Sequence, residues 1–177
     1  MHRLNYHICF DPYHAIGRFT EITISRQDDH IEMPRFFIYD FYCVFPHFLR
    51  EVRYTSEARK QLRKTGMNKI QKPYSLVPHP PVMFEQMQPI HSCALQTMIH
   101  RGIASIDERI VSFNREKLLR FHNHLRNQRG TTEGIEFFFI NPSVIDFIRD
   151  AFDTLPLLGT DGLKDRTKLM GYKYDAV

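Results

Sequence analysis

Pro34-Arg35-Phe36-Phe37-Ile38-Tyr39-Asp40-Phe41-Tyr42-Cys43-Val44-Phe45 is the stretch that decides the fold. Pro34 suits the first turn of a helix, where its missing N–H costs nothing. The residues after it are apolar nearly all round, which predicts a central core helix running to about Phe45. Asp40 breaks the run. A carboxylate among Phe36, Phe37, Phe41 and Phe45 is costly unless it is paired. Arg18 is the expected partner, in a buried helix–helix clamp. The rival role is a catalytic acid, but no second carboxylate, nucleophile or ligand set accompanies it. Pro46 kinks the helix or opens a new one. His47 to Tyr54 is expected to continue as a helix that turns basic and leaves the core.

Upstream, Asp11-Pro12 marks a helix start: Asp11 caps free N–H groups and Pro12 takes the first helical position. Tyr13, Ile16, Phe19 and Ile22 recur at three-residue spacing, which predicts a helix from Pro12 to about Ile24. Asp40, Arg18 and Asp11 are the candidate structural clamp. Ser25 to His30 reads as a polar loop.

Downstream, a short helix is expected near Ser56 to Lys64, within a mobile basic and proline-rich segment over about 55–82. Glu85 to Arg101 reads as a helix with Met87, Ile90, Ala94, Leu95 and Met98 on one side and Gly102 at its C-cap. Ile103 to Ser112 forms a short strand or a turn. Arg115 to Gln128 is a helix with Leu118, Leu119, His122 and Leu125 facing inward. Ile135 to Ile140 alternates and is the clearest strand. Asn141-Pro142 opens a last helix with Val144, Ile145, Ile148 and Phe152 as its stripe. The fold class is therefore α+β, mainly helical. A winged-helix-like element with one clear strand is possible between Glu85 and Ile140. The organisation is one domain over 1–155 and a C-terminal partner-docking tail over 156–177.

The 177 residues include 15 Phe and no Trp, and are 42% hydrophobic and 25% charged, which is a globular composition. Cys9, Cys43 and Cys93 are an odd number, so no disulfide framework is expected. The polar start and the shortness of the Phe36–Phe45 run predict neither a signal peptide nor a membrane span, and a cytoplasmic location. Charge is unevenly spread. Arg50 to Lys72 holds eight Lys/Arg against two acids, and Arg109 to Arg129 holds six against one, on an otherwise acidic chain. Such blocks suit a polyanion or an acidic partner, or are simply solvated helix faces. Arg59, Lys60, Arg63, Lys64, Lys69 and Lys72 are the candidate nucleic-acid contacts.

His7, Cys9, His91 and Cys93 together number enough for a zinc site, but the spacing is poor and His91 and Cys93 point apart on a helix. His122 and His124 do not share a helical face. Phosphate loops, dinucleotide fingerprints and nucleophile elbows are absent. No metal, no cofactor and no enzymatic activity are expected. The final segment mixes Gly159, Gly162 and Gly171 with Leu163, Lys164, Arg166, Leu169, Met170, Tyr172 and Tyr174. These residues either dock onto a partner or fold back on the chain's own core.

Asp11-Pro12-Tyr13-His14 with Arg18, then Ile38 to Pro46, then Gly162-Leu163-Lys164-Asp165-Arg166-Thr167-Lys168-Leu169-Met170, resemble the small middle component of bacterial ABC-three-component systems, which include the Lamassu-type antiphage systems. The resemblance spans most of the chain in order, apart from Arg50 to Pro81. It implies a three-part complex. An SMC-like ABC ATPase senses DNA, an effector, often a nuclease, is held in check, and the middle component is an adaptor. A stand-alone DNA-binding regulator of winged-helix type is the alternative. A small nuclease using Asp40 or the Asp28-Asp29 pair is the third reading.

Overall fold

The computed structural model describes residues 8–72, 78–128 and 140–170. After a 3-10 turn over Ile8–Phe10, α1 spans Pro12–Ser25, β1 His30–Glu32 and α2 Met33–Val44. A second 3-10 segment, Pro46–Glu51, leads to α3 (Ser56–Lys64), and a third, Met67–Lys69, follows it. Then come α4 (Pro80–His100), β2 (Ala104–Asp107), β3 (Ile110–Phe113), α5 (Arg115–Gln128), α6 (Pro142–Phe152) and α7 (Leu163–Thr167).

The chain is mainly helical, with a small three-stranded antiparallel sheet in the order β1-β3-β2. Ile31 pairs with Val111, and Val111 with Ile106. On that face Ile31, Val111 and Phe113 are buried against the core, while Ile106 on β2 is 41% exposed. If 45–79 is set aside as an insertion, α1, β1, α2, α4, β2 and β3 follow the connectivity of a winged helix, with β2–β3 as the wing. The sequence reading placed such an element between Glu85 and Ile140. Its hairpin and most of α4 lie there, but two of its three helices come from the start of the chain. The strand expected over Ile135 to Ile140 falls outside the described residues except for Ile140, which is buried but not in a strand.

The aromatic stretch behaves as its composition demands. Every residue from Pro34 to Cys43 is buried. Phe36 meets Phe19 of α1 at 4.3 Å between ring centroids, and Phe41 meets Phe84 of α4 at 5.8 Å. Tyr39 and Tyr42 meet Phe152 of α6 at 5.9 and 5.6 Å. These offset and edge-on pairs add specificity to a large buried apolar area.

His47 to Tyr54 does not leave the core. His47, Phe48, Leu49, Val52 and Tyr54 are all buried. Phe48 stacks on Phe41 at 6.0 Å, and Tyr54 packs edge-on against Phe147 at 5.6 Å. The apolar side chains in that stretch outweigh the two arginines, which point out. The segment over 55–72 is likewise built into the fold. Thr55 caps α3 by accepting from the Ala58 N–H at 3.3 Å, and Leu62 and Met67 are buried. α4 starts at Pro80, earlier than Glu85, because proline is at home in a first turn. In α5, Leu118 is buried but Leu119 is 40% exposed: neighbours on a helix lie about 100° apart, and only one of the two faces inward.

Candidate functional site

Asp11 fixes the start of α1, with its carboxylate accepting from the Tyr13 N–H at 2.7 Å and the His14 N–H at 3.3 Å. It acts as a cap and takes no part in the ion pair beside it. Two turns on, Arg18 Nε donates to Asp40 Oδ1 at 2.6 Å and Nη2 to Oδ2 at 2.9 Å. This is the bidentate fork that Arg forms and Lys cannot. The remaining guanidinium nitrogen, Nη1, donates to the Ile8 carbonyl at 3.1 Å, which ties the first 3-10 turn to the same centre. The sequence reading missed the third member. His91 of α4 places Nε2 at 3.0 Å from Asp40 Oδ2. One carboxylate therefore joins α1, α2 and α4.

Asp40 and His91 are 0% exposed and Arg18 is 3% exposed. Burial by itself would raise the Asp40 carboxyl, but the Arg18 guanidinium and the His91 hydrogen bond outweigh it and hold the group at about 2. The His91 ring lies flat against Phe37 at 4.6 Å, with Phe19 and Phe84 around it. Cys9 and Cys43 border the pair. Burial pushes the Cys9 thiol up to about 12, and drives the Cys43 thiol well above its ordinary range. Chemically, this arrangement locks three helices together around a carboxylate that is wholly buried.

A second polar cluster closes the far end of α2. Arg35 donates to the carbonyls of Phe152 at 2.5 Å and Leu155 at 2.7 Å, and so caps the C-terminal end of α6. Arg26 and the Tyr39 hydroxyl both bond Asp153. A cleft of about 450 Å³ beside β1 is lined by Arg26, Asp28, His30, Glu32, Arg35 and Asp153 among others. Asp28 accepts from the His30 N–H at 2.9 Å and Asp29 accepts from Arg115 at 3.0 Å, so this acidic pair shapes the turn into β1. Among the described residues no three His, Cys, Asp or Glu side chains gather as a metal would need. Of the zinc candidates, His91 points into the core, Cys93 is exposed, and His7 is outside the described residues.

The described part of the C-terminal segment, 156–170, folds back onto the core. Leu163 is 0% and Leu169 2% exposed, Lys164 is buried, and Met170 packs against the same cluster. Arg166 donates to the Arg53 carbonyl at 2.7 Å, while its own carbonyl accepts from the Arg53 N–H at 3.1 Å. Leu163 and Leu169, expected as anchors on a partner, are committed to the fold. Tyr172 and Tyr174 are outside the described residues. The boundary expected at 155/156 divides nothing in the packing, because the core runs across it.

The two basic blocks differ. In the later one, Arg115 donates to the carbonyls of Thr23, Ile24 and Arg26 at the end of α1, and Arg120 bonds Glu116. In the earlier one, Arg59, Lys60, Arg63, Lys64, Lys69 and Lys72 are all exposed. Lys72 lies 3.5 Å from Glu51 and over the Phe48 ring. Among the described residues the other five make no ion pair.

Fold and site together define an α+β domain of winged-helix connectivity, centred on a charged hub that solvent does not reach. The family model for ABC-three component (ABC-3C) system Middle Component 5 matches residues 4–175, and the chain belongs to that family. Membership implies partner components of the same system. No curated protein and no solved structure matches the chain. Among the described residues no helix is long and apolar enough to cross a membrane.

Proposed function

We propose that this chain is a non-catalytic adaptor subunit of a Lamassu-like antiphage defence complex. It bridges an SMC-like ABC ATPase and a nuclease effector in the cytoplasm, and helps to control the effector's activation. The observation that carries this reading is the state of Asp40, the one carboxylate in the aromatic stretch. It is wholly buried and bonded on both oxygens, which suits a rigid scaffold and leaves neither of its oxygens open to a substrate. Ile8, Phe10 and Tyr13 are 42, 43 and 75% exposed where the first 3-10 turn meets α1, and they supply apolar anchors for a partner.

Winged-helix connectivity favours a second reading, a stand-alone DNA-binding regulator. In that architecture the helix before the wing enters the major groove. Here that helix is α4. Its exposed residues are Val82, Glu85, Gln86, Pro89, Ser92, Cys93, Gln96 and His100, with no Lys or Arg among them. Such a face is ill-suited to phosphate neutralisation or to bidentate reading of guanine.

Co-purification from the native operon tests the adaptor reading. Stoichiometric recovery of a large coiled-coil ATPase supports it. A lone species with sequence-selective DNA binding transfers the assignment to the regulator.

A further inference from the structure

The cations of α3 are arranged for a ligand outside the chain. At about 100° per residue, Arg59, Lys60, Arg63 and Lys64 fill an arc of roughly 140° on one side of the helix. Leu62, buried, and Ala58, half-buried, face the other way. Lys69 extends the charge beyond Gly66 into the following 3-10 turn. Glu57, the one acid of α3, sits in its first turn, where it complements the helix dipole.

Several other arginines are neutralised within the chain. Arg53, Arg115, Arg120, Arg149 and Arg166 each lie within ion-pair distance of a carboxylate. On α3, by contrast, Arg59 faces Arg63 and Lys60 faces Lys64 at four-residue spacing, and like charges so placed destabilise a helix. The arc is also fixed in place, by the Thr55 cap and by the buried Leu62 and Met67.

The composition of the arc selects among polyanions. An acidic protein partner calls for apolar or aromatic anchors at the centre of its interface, and the arc has none. Single-stranded nucleic acid calls for aromatic stacking platforms, and the arc has none of these either. A duplex backbone needs only cations in a fixed array. We propose that the exposed face of α3, with Lys69, binds the phosphate backbone of duplex DNA directly and without reading sequence. This goes beyond the adaptor reading, in which the ATPase alone suffices to hold DNA. It also separates DNA contact from α4, the helix that winged-helix connectivity would nominate.

The test uses the purified full-length chain and a short fluorescent duplex of arbitrary sequence, followed by anisotropy across a salt series. Five phosphate contacts give a slope of log K against log[salt] of about −4.5, and so a several-hundred-fold loss of affinity for a fourfold rise in salt. In the quadruple variant Arg59→Gln, Lys60→Gln, Arg63→Gln, Lys64→Gln, the slope falls to about −1. A control variant, Lys117→Gln with Arg120→Gln on α5, keeps the parent's slope. All substitutions are at exposed positions, and an unchanged thermal melt verifies that each variant is folded. A quadruple variant that binds as the parent does overturns the proposal, as does a single strand that binds as tightly as the duplex. If the quadruple variant loses the ATPase on co-purification while duplex binding is unmoved, the surface serves an acidic protein and the proposal falls. Loss of duplex binding with the ATPase retained supports the proposal and leaves the adaptor reading standing.

Discussion

His91 Nε2 lies 3.0 Å from Asp40 Oδ2, although the two residues are 51 positions apart. Arg18 grips the same carboxylate through both of its oxygens. Each of the three residues comes from a different helix, so the position of α4 against α1 and α2 is set by directional bonds as well as by packing. Among the described residues His91 Nδ1 finds no hydrogen-bond partner, and the ring is held by its bond to Asp40 and its aromatic neighbours.

Arg18→Met leaves the Asp40 charge buried and half-compensated. The expected cost is about 3–5 kcal/mol, read as a shift in the urea midpoint. Arg18→Met combined with Asp40→Leu removes both charges and costs less than Arg18→Met alone. A double variant as unstable as the single one would show that packing, not the uncompensated charge, is what the arginine supplies.

Acid acts on this fold in two stages. His47 is buried and its pKa is lowered, first by burial and then by Lys72 and Arg50. The unfolded chain therefore takes up that proton first, and the His47 contribution declines as pH falls below about 6.5. Asp40 is held at about 2, below its ordinary value of 3.8. Its contribution is complete above about pH 4 and is lost as pH drops toward 2. Melting temperatures from pH 8 to pH 2 should show both declines. His47→Phe should flatten the upper one and leave the lower intact.

Thiol titration separates the cysteines. Cys9 and Cys43 are buried, with thiols raised by burial, while Cys93 is exposed. Native protein at pH 8 should react with one equivalent of a disulfide reagent such as Ellman's, and denatured protein with three. Rapid reaction of two or three thiols in the native state would contradict the sealed core around Arg18 and Asp40.

Truncation after Pro156 removes Leu163 and Leu169 from the core, along with both carboxylates that bond Arg53. The shortened chain should lose its cooperative unfolding transition. The milder Leu163→Ala should cost about 2–5 kcal/mol. A truncated chain that stays folded but no longer binds its partners would instead mark the segment as a docking element.

Local signals were the legible ones. Asp11-Pro12 and Asn141-Pro142 marked helix starts because capping chemistry is written within a few residues. The expected spans Ser56 to Lys64 and Arg115 to Gln128 coincide with α3 and α5. Arg18 emerged as the partner of Asp40 because a lone carboxylate among phenylalanines demands a cation. His91 gave no such signal, since one histidine on an apolar helix face has no pattern of its own. The β2–β3 hairpin was obscured because its turn uses Glu108, at φ 50°, where a glycine or asparagine would have announced it. β1 gave no signal of its own because His30 and Glu32 flank a single buried Ile31, and only His30 of the three falls in the expected loop. The C-terminal segment was ambiguous for a physical reason: large apolar residues suit a partner's surface and the chain's own core equally well.

Arg35 on α2 waits for carbonyls at Phe152 and Leu155, and Arg53 waits for Asp161 and Asp165. During translation these partners emerge more than a hundred residues later. Until then the Tyr39 and Tyr42 face of α2 has no α6 to cover it. Final closure of the molecule therefore waits until α6 and α7 have emerged, and a fragment released before that remains sticky rather than competent. Any partner that recognises the closed shape is in effect checking that translation has run through α7 before it accepts the subunit.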